Sequence, residues 1–342
     1  MRTRIEDVAR KAGVSPKTVS RVLNNEPNVR EEMRRRIAAA VQELGYRPNP
    51  SARSLASNRS FLIALLYDNP SPYYVMEVQQ GVLDACDAHR YSMMVRPLLS
   101  AAPDFVERVE ALVSQFRPDG LVLTPPLTDH AGLRKLLEAR NAPYACISPE
   151  RRARGVGATL DERSAACEMV RHLASLGHRR IAHVTGHHSH GASRWRLLGY
   201  RDGLAQAGLA YDPALVVEGL FSFDSGVACA QRLFSLRRRP TAVFAGNDDT
   251  AAGVMWAASE HGLSVPDDVS VCGFDDTPLS RQVWPSLTTV CQPSRDMGRI
   301  ATQQLLRTIG GGEAGGMVSV PFALRLRRST GPAPRRGRAR HV

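Results

Sequence analysis

Lysine is nearly absent from this chain of 342 residues, since it occurs only at Lys11, Lys17 and Lys135. Arginine therefore supplies almost all of the positive charge, an excess that reflects coding bias rather than recognition. The longest apolar run, Phe61–Tyr67, is far shorter than the roughly 20 residues that a membrane-spanning helix needs. No signal peptide precedes the first predicted helix. We therefore expect a cytoplasmic protein that is not associated with a membrane.

Paired cysteines and catalytic sets are also missing. The six cysteines are scattered without any C-x-x-C pair, which predicts reduced thiols within the core: Cys86, Cys146, Cys167, Cys229, Cys272 and Cys291. The segment 185–191 superficially matches a dinucleotide-binding glycine loop. A reductase would also need a Tyr-x-x-x-Lys pair, and the only lysine beyond residue 17 is Lys135. No Ser/His/Asp set is visible, so we expect neither an enzyme nor a cofactor.

Three histidines in this same segment, His187, His188 and His190, have side chains of the type that ligates metal ions. The spacing supplies no fourth ligand, and the sequence therefore favours a mobile loop at the edge of a cleft over a metal site.

Charge is concentrated at the two ends of the chain. Residues 1–60 carry a net charge of +7 and residues 325–342 another +7, which leaves −2 for residues 61–324. A near-neutral body with basic ends is typical of a ligand-binding core attached to a head that binds a polyanion. Residues 331–342, rich in Pro, Gly and Arg, are expected to form a disordered basic tail, although contacts with phosphate groups are an alternative role.

Residues 5–24 predict two short helices joined by a tight turn. Ile5, Val8 and Ala9 form the apolar stripe of the first helix, and Gly13 supplies the left-handed residue that ends it. A second helix, Ser15–Leu23, begins with a serine cap followed by proline. Its outer face carries four donors able to reach bases or phosphates: Lys17, Thr18, Ser20 and Arg21. This pattern predicts a helix-turn-helix, and a small helical bundle with a basic solvated face is the alternative.

Residues 61–330 alternate apolar strand patterns with amphipathic helices, which is typical of parallel sheets covered on both faces. A first set of strands is predicted at Phe61–Tyr67, Tyr91–Arg96, Gly120–Thr124 and Tyr144–Ile147. A second set is predicted at Arg180–Thr185, Leu215–Glu218, Ala242–Ala245, Val269–Phe274 and Thr288–Val290. Helices are predicted at Val75–His89, Phe105–Phe116, Ala165–Leu176, Leu197–Ala207, Ser225–Phe234, Thr250–Glu260 and Arg295–Ile309. Two sets of strands imply two doubly wound lobes with a ligand cleft between them.

The chain resembles the LacI/GalR family of transcriptional regulators through its N-terminal motifs. These are Arg4–Ala9, Val14-Ser15-x-x-Thr18–Asn24, Leu44–Asn49 after a third predicted helix at Glu31–Leu44, and Ala52–Leu55. The core resembles the family's periplasmic-binding-protein-like fold in Leu176–Ala182, Arg196–Tyr200, Phe244–Asp248, Val265–Asp276 and Pro285–Val290.

The resemblance implies a domain order. The helix-turn-helix head occupies residues 1–47, a hinge follows at 48–60, and the core occupies 61–330. Residues 61–160 and 292–322 would form lobe one, nearest the DNA, and residues 161–291 would form lobe two.

The expected partner of the head is a pseudo-palindromic operator, read by a homodimer because no C-terminal leucine heptad for a tetramer is present. The candidate DNA-binding residues are Thr3, Ser15, Pro16, Lys17, Thr18, Ser20, Arg21, Asn24, Asn49, Ala52, Arg53 and Leu55. Resemblance makes Leu55 the wedge that enters the minor groove at the operator centre.

Polar and aromatic side chains follow several strands and mark the expected cleft. Those that the resemblance implies as effector contacts are Asp68, Tyr73, Ser148, Arg196, Phe221, Asn247 and Asp275. Carboxylates and amides bind vicinal hydroxyls, and an aromatic ring covers the apolar face of a sugar. Helix capping is the alternative role for Asp275, and loop packing is the alternative for the tyrosines. Ser148 stands where some members carry an acidic residue, which leaves the identity of the sugar open.

The sequence therefore favours a sugar-responsive transcriptional regulator, most simply a repressor of carbohydrate-utilisation genes. One alternative is a regulator whose corepressor is a purine or a partner protein. The other is a ligand-binding module without DNA activity, which the head segment argues against.

Overall fold

A computed structural model describes residues 3–23, 29–46, 59–150, 155–312 and 315–334. The chain divides into two compact units, Met1–Phe61 and Leu62–Val342. Among the described residues, no helix combines the length and the apolar composition that crossing a bilayer requires.

The described residues of the first unit form a head with the helices α1 (Ile5–Ala12), α2 (Pro16–Leu23) and α3 (Glu31–Glu43). Its helices pack around a small apolar centre: Val8, Ala9, Ala12, Val19, Ile37 and Ala40. Gly13 ends α1 at φ 60°, where a residue without a Cβ is unstrained. The Val14 N–H then donates to Ala9 O at 3.0 Å, so the predicted turn after α1 is present.

In the second unit, lobe one is built on a sheet of six parallel strands. They are β1 (Leu62–Tyr67), β2 (Ser92–Pro97), β3 (Gly120–Leu123), β4 (Tyr144–Ile147), β5 (Val156–Thr159) and β11 (Met317–Ser319). Their spatial order is β11-β5-β4-β3-β1-β2. The interior residues of β1 are fully buried because helices cover both faces of the sheet, as the continuous apolar run predicts.

Lobe two repeats this arrangement with one difference at its edge. Its strands are β6 (Ile181–Thr185), β7 (Val216–Glu218), β8 (Ala242–Ala245), β9 (Ser270–Asp275), β10 (Thr288–Cys291) and β12 (Ala323–Arg325). Their order is β12-β10-β9-β8-β6-β7, and β12 alone among these six runs antiparallel to its neighbour.

Nine helices cover the two sheets in the described part of the core. They are α4 (Pro72–Ala88), α5 (Phe105–Phe116), α6 (Ala131–Ala139), α7 (Glu162–Ser175), α8 (Gly191–Gln206), α9 (Phe223–Phe234), α10 (Asp248–Glu260), α11 (Leu279–Gln282) and α12 (Ser294–Ile309). The chain passes between the lobes at residues 160–161, 292–293 and 320–322. The carboxyl ends of the central strands of both sheets therefore face one cleft.

The structure departs from the predicted boundaries near the C-terminus. Strand β12 joins lobe two, although the sequence-based division leaves residues 323–330 outside both lobes. The tail predicted from residue 331 is ordered at its start, because the Ala333 N–H donates to Leu176 O at 2.8 Å. Gly331 O also lies 3.1 Å from His178 Nε2. Residues 335–342 lie outside the described residues.

All six cysteines are unpaired, and five of them are buried, with Cys291 partly exposed. Burial raises the pKa of each thiol, so the thiols are held protonated in the core.

Candidate functional sites

The outer face of α2 presents the donors that the sequence assigns to DNA. Ser15, Pro16, Lys17 and Arg21 are exposed, whereas Val19 is fully buried against α1 and α3. Thr18 and Ser20 are half-buried beside them.

Several of the candidate DNA contacts, Ser15 and Thr18 among them, also have structural partners within the head. Ser15 Oγ accepts a hydrogen bond from the Thr18 backbone N–H at 3.2 Å, which is the predicted helix cap. Thr3 Oγ1 donates to Leu44 O at 3.1 Å and so fastens the start of the chain to the end of α3. Five other candidates lie outside the described residues: Asn24, Asn49, Ala52, Arg53 and Leu55.

A cavity lies between the two lobes of the core. Its wall contains residues from the strand ends and helix starts of both lobes. They are Asn69, Ser71, Tyr74, Pro125, Ser148, Glu162, His190, Ala192, Arg196, Phe221, Asn247, Asp275 and Gln292. Five of the seven candidate effector residues line this cavity: Ser148, Arg196, Phe221, Asn247 and Asp275.

The other two candidates, Asp68 and Tyr73, lie outside this cavity wall and contact other residues. The Asp68 carboxylate accepts hydrogen bonds from the backbone N–H and Oγ of Ser100, at 2.8 and 2.6 Å. Tyr73 was expected in a loop, but it lies in the first turn of α4, and its hydroxyl donates to Gln282 at 3.4 Å. Adjacent residues on a helix point about 100° apart, so Tyr74 faces the cavity in place of Tyr73.

Arg196 is the most heavily contacted side chain of the cleft. It lies in the second turn of α8, which begins at Gly191 rather than near residue 197 as predicted, and it is only 5% exposed. Its guanidinium donates to Gly246 O and, at 3.1 Å, to Gln292 Oε1. The guanidinium carbon lies 3.6 Å from the centre of the Phe274 ring, a cation–π contact. Asp275 Oδ1 lies 3.7 Å from Arg196 Nη2.

Asp275 ends β9 at φ 109°, in the left-handed half of backbone space that side chains rarely adopt. Burial raises the pKa of Asp275 to about 7, even though the Arg196 charge acts to lower it. A carboxyl group with this pKa can accept or donate a hydrogen bond near neutral pH. Asp275 can therefore donate a hydrogen bond to a ligand hydroxyl or accept one from it.

Asn247 has the capping role that competes with ligand binding. Its Oδ1 accepts from the Thr250 N–H at 3.0 Å, which caps α10. Its Nδ2 donates to Phe221 O at 3.0 Å and lies 3.3 Å from Asp249 Oδ2. Asn247 therefore holds the Phe221 loop against α10, and its amide atoms are already engaged.

Two cleft residues adopt left-handed backbone conformations that aim them at the cavity. Ser148, which follows β4, has φ 45°, and Phe221, in the loop after β7, has φ 59°. Ser148 Oγ is buried and has no hydrogen-bond partner among the described residues. A buried hydroxyl without a partner costs free energy that a ligand hydroxyl would recover.

Glu162 and His190 also line the cavity, and the sequence did not identify either as an effector contact. Glu162 is fully buried at the first position of α7, after the strand β5 that was not predicted. His190 is the N-cap residue before α8, and the centre of its ring lies 5.2 Å from that of Phe221; burial lowers the pKa of His190 to about 4. Because the strand end before Glu162 was not recognised, only the short polar run Asp161-Glu162 could have signalled this position.

Hydrogen bonds between the lobes hold the cleft together. Ser71 Oγ of lobe one donates to Asp249 Oδ2 of lobe two at 2.6 Å. Glu150, also of lobe one, pairs with Arg194, and its backbone oxygen accepts from Trp195 Nε1 at 3.2 Å. Any opening of the cleft would have to break these contacts.

Comparison with known proteins identifies the family. Residues 4–49 match the family model described as bacterial regulatory proteins, lacI family, and residues 170–330 match that of a periplasmic binding protein-like domain. The HTH-type transcriptional repressor PurR of Erwinia tasmaniensis is 34% identical over 310 residues, covering 89% of this chain and 90% of the relative. The chain belongs to the LacI family.

Solved structures agree with this LacI-family assignment. A lac repressor dimer bound to operator and the anti-inducer ONPF superposes with a TM-score of 0.80 at 30% identity, covering 97% of this chain and all of that one. A complex of the transcriptional regulator CelR with cellobiose gives a TM-score of 0.73 at 29% identity, covering 96% of this chain and all of that one.

The predicted family and fold class are therefore confirmed, as is the prediction that this LacI-family protein is a DNA-binding transcriptional regulator and not an enzyme. The alternative of a ligand-binding module without DNA activity is excluded by the match of residues 4–49 to the family's DNA-binding head.

Proposed function

We propose that this LacI-family regulator binds a pseudo-palindromic operator as a homodimer and represses carbohydrate-utilisation genes. In this proposal, a neutral sugar or sugar derivative in the cleft controls operator binding. The observation that carries the proposal is the make-up of the cavity wall. It combines a buried arginine–carboxyl pair, an aromatic ring and a serine hydroxyl that has no partner among the described residues. The CelR–cellobiose complex supports a sugar, and the operator-bound lac repressor dimer supports the homodimer.

The polar groups around the cavity suit a polyhydroxylated ligand. Asp275 and Glu162 offer carboxyl oxygens, Ser148 offers a buried hydroxyl, and Phe221 offers a ring face. Sugar hydroxyls both donate and accept hydrogen bonds, and the C–H face of a sugar packs on aromatic rings.

The charges in the cleft argue against an anionic ligand such as a sugar phosphate. Glu162 and Asp275 are both buried in the wall, and the Arg196 guanidinium already donates to Gly246 and Gln292. A phosphate would lose its hydration in a wall that holds two carboxyl groups and one arginine, of which only Nε lacks a hydrogen-bond partner among the described residues, and this is unfavourable in a buried site. We infer that the effector is uncharged.

A purine corepressor is the second candidate, because the PurR relative is 34% identical across most of the chain. A nucleobase would stack on Phe221 and hydrogen-bond with Asp275.

A thermal-shift screen of sugars, sugar phosphates and nucleobases with the full chain separates these candidates. A ligand at about 100 times its Kd stabilises the folded state by about 2.7 kcal/mol, which raises the Tm by several degrees. We expect a neutral sugar to give this shift and its phosphate ester to give none. A response to nucleobases alone would establish the purine candidate instead.

Operator reading is tested by selection of bound sequences from random duplex DNA. We expect a pseudo-palindrome, with Lys17 of each subunit reading one base pair in each half-site. Lys17→Ala should relax the preference at that symmetric pair by about 1–3 kcal/mol, while Lys135→Ala, at an exposed position of lobe one, should change nothing. Equal weakening on specific and random DNA would make Lys17 a phosphate contact.

The hinge provides a second DNA test. We propose that Leu55 is a minor-groove wedge, so Leu55→Gly should abolish operator bending and leave ligand affinity unchanged. Unchanged bending in a gel-phasing assay would contradict this role.

A further inference from the structure

Two imidazoles and a carboxylate meet at the edge of lobe two, outside the cavity wall. His187 and His188 lie in the turn after β6, and Glu218 ends the neighbouring strand β7. Thr185 pairs in register with Glu218, so the turn begins directly beside this carboxylate. One possible ligand atom from each of the three residues lies within 4.8 Å of the others.

We propose that His187, His188 and Glu218 form a binding site for a divalent transition-metal ion, with Zn²⁺ as the best-fitting ion and water completing its coordination. Imidazole and carboxylate are ligands that Zn²⁺ accepts, and three protein ligands plus an open position are typical of zinc sites that keep a bound water. The sequence grouped His190 with these two histidines and favoured a loop over a metal site, and the His190 ring lies in the cavity wall against Phe221.

The present arrangement needs only small movements to hold an ion. His188 Nδ1 already lies 2.9 Å from Glu218 Oε1, and the centres of the two imidazole rings are 4.1 Å apart. Tetrahedral bonds of about 2.0–2.1 Å place ligand atoms about 3.3 Å from each other. The side chains of His188 and Glu218 are 78% and 52% exposed, so they can rotate without disturbing the core.

The carboxylate of Glu218 is already held beside the histidines. It accepts hydrogen bonds from the backbone N–H of His188 at 3.0 Å and from the His188 ring at 2.9 Å. When an ion binds, the carboxylate exchanges the ring contact for the metal and retains the backbone N–H. An ordinary exposed His–Glu contact is the competing explanation, and it predicts no more affinity for Zn²⁺ than isolated surface histidines have.

An ion at this site would tie β7 to the turn that leads into α8. The His190 N–H donates to His187 O at 3.1 Å, so the metal-binding turn is continuous with a residue of the cavity wall.

The test is a Zn²⁺ titration of the untagged full chain in competition with a chromophoric chelator. We expect one ion per chain at this site, and a loss of affinity of about tenfold or more in both His188→Gln and Glu218→Gln. His89→Gln is the matched control, because His89 is exposed in lobe one away from the cluster, and it should retain the wild-type affinity.

X-ray absorption at the zinc edge then identifies the ligands. The proposal predicts a first shell of nitrogen and oxygen at about 2.0–2.1 Å, with imidazole scattering. A sulfur shell at about 2.3 Å would place the ion on a cysteine and overturn the proposal. Unchanged Zn²⁺ affinity in the His188→Gln and Glu218→Gln variants would overturn it as well.

Discussion

The two walls of the cleft differ in how far their polar groups are already engaged. The lobe-two wall presents Arg196, Asn247 and Asp275. Arg196 donates a buried hydrogen bond to Gln292 and forms an ion pair with Asp275, and Asn247 donates a buried hydrogen bond to Phe221 O. The lobe-one wall presents Ser148, whose hydroxyl has no partner among the described residues, and Ser71, whose hydroxyl reaches across to lobe two. Apart from Arg196 Nε, which has no partner among the described residues, the polar groups named in the lobe-two wall are already engaged, and we call this wall the platform. Ser148 of lobe one keeps a hydroxyl that a ligand can engage.

This difference predicts that substitutions in the two walls have different consequences. Changes in the lobe-two wall should lower stability as well as ligand binding, because they leave buried groups without partners. Changes in the lobe-one wall should act mainly on ligand binding.

Replacement of Arg196 should have the largest effect. Arg196→Ala removes the partner of buried Asp275 and of Gln292, so we expect a loss of about 3–5 kcal/mol in unfolding free energy together with the loss of effector response. Urea unfolding measures the first and ligand titration the second. Arg194→Ala, which removes an exposed pair with Glu150, should cost at most about 1 kcal/mol. Equal losses in the two variants would contradict the platform account.

The pH dependence of stability should show the burial of Asp275. Its folded pKa of about 7 lies above its ordinary value of about 3.9, so the folded state holds a proton that the unfolded state has lost. Stability should therefore fall by up to about 1.4 kcal/mol per pH unit between about pH 4 and pH 7, and this decline should level off above that range.

Asp275→Asn isolates this contribution, because the buried carboxyl groups of Asp248 and Asp249 remain in both proteins. The difference in unfolding free energy should move in favour of the variant as the pH rises toward 7. A difference that stays constant with pH would show that Asp275 is ionised throughout.

Ser148→Ala tests the opposite wall. The hydroxyl has no partner in the part of the chain that the structure describes, so unfolding free energy should change little, whereas effector binding should weaken by about 0.5–1.5 kcal/mol. The control is Ser92→Ala at an exposed position of the same lobe, measured by the same calorimetric titration. If Ser148→Ala lowered stability clearly and left effector binding normal, the roles assigned to the two walls would be wrong.

Ser71→Ala should have the smallest effect. It removes the 2.6 Å bond to Asp249 across the cleft, while Asp249 keeps its neighbour Asn247. We expect the lobes to open more readily and ligand affinity to fall by about threefold, near the lower limit for a single hydrogen bond. Small-angle scattering without ligand should show a slightly larger radius of gyration, and an unchanged profile would argue against a closing role.

The sequence predicted the parts of the fold that buried apolar runs specify. The strands at Tyr144–Ile147 and Ala242–Ala245 have the predicted ends, and polar residues directly after predicted strands, such as Ser148 and Asp275, line the cavity. These succeed because a parallel sheet buries its strands on both faces and exposes their carboxyl ends.

Strand β5 was missed because its sequence lacks the large apolar residues that mark a buried strand. It contains a glycine that allows the neighbouring backbone to approach closely. A Cβ on Gly157 would lie 1.9 Å from Cys146 O, so the neighbouring strand fits only against glycine. Glycine weakens the strand signal in a sequence. Because this strand was missed, Glu162, which follows it, was not recognised as a candidate effector contact.

Two helices begin several residues earlier in the chain than predicted, and this changed which residues were assigned to the site. Pro72 begins α4 and Gly191 begins α8, residue types that sequence reasoning assigns to loops. Tyr73 was consequently placed in a loop beside the ligand, whereas the helix directs Tyr74 to the cavity.

The central claim is that a ligand held between the lobes controls the affinity of the head for DNA. The most direct test is to measure the affinity for the sugar found in the screen, with the chain free and saturated with its selected operator. We predict that operator changes sugar affinity by about 5–150-fold, and that sugar changes operator affinity by the same factor. Sugar binding of equal strength with and without operator would contradict the account.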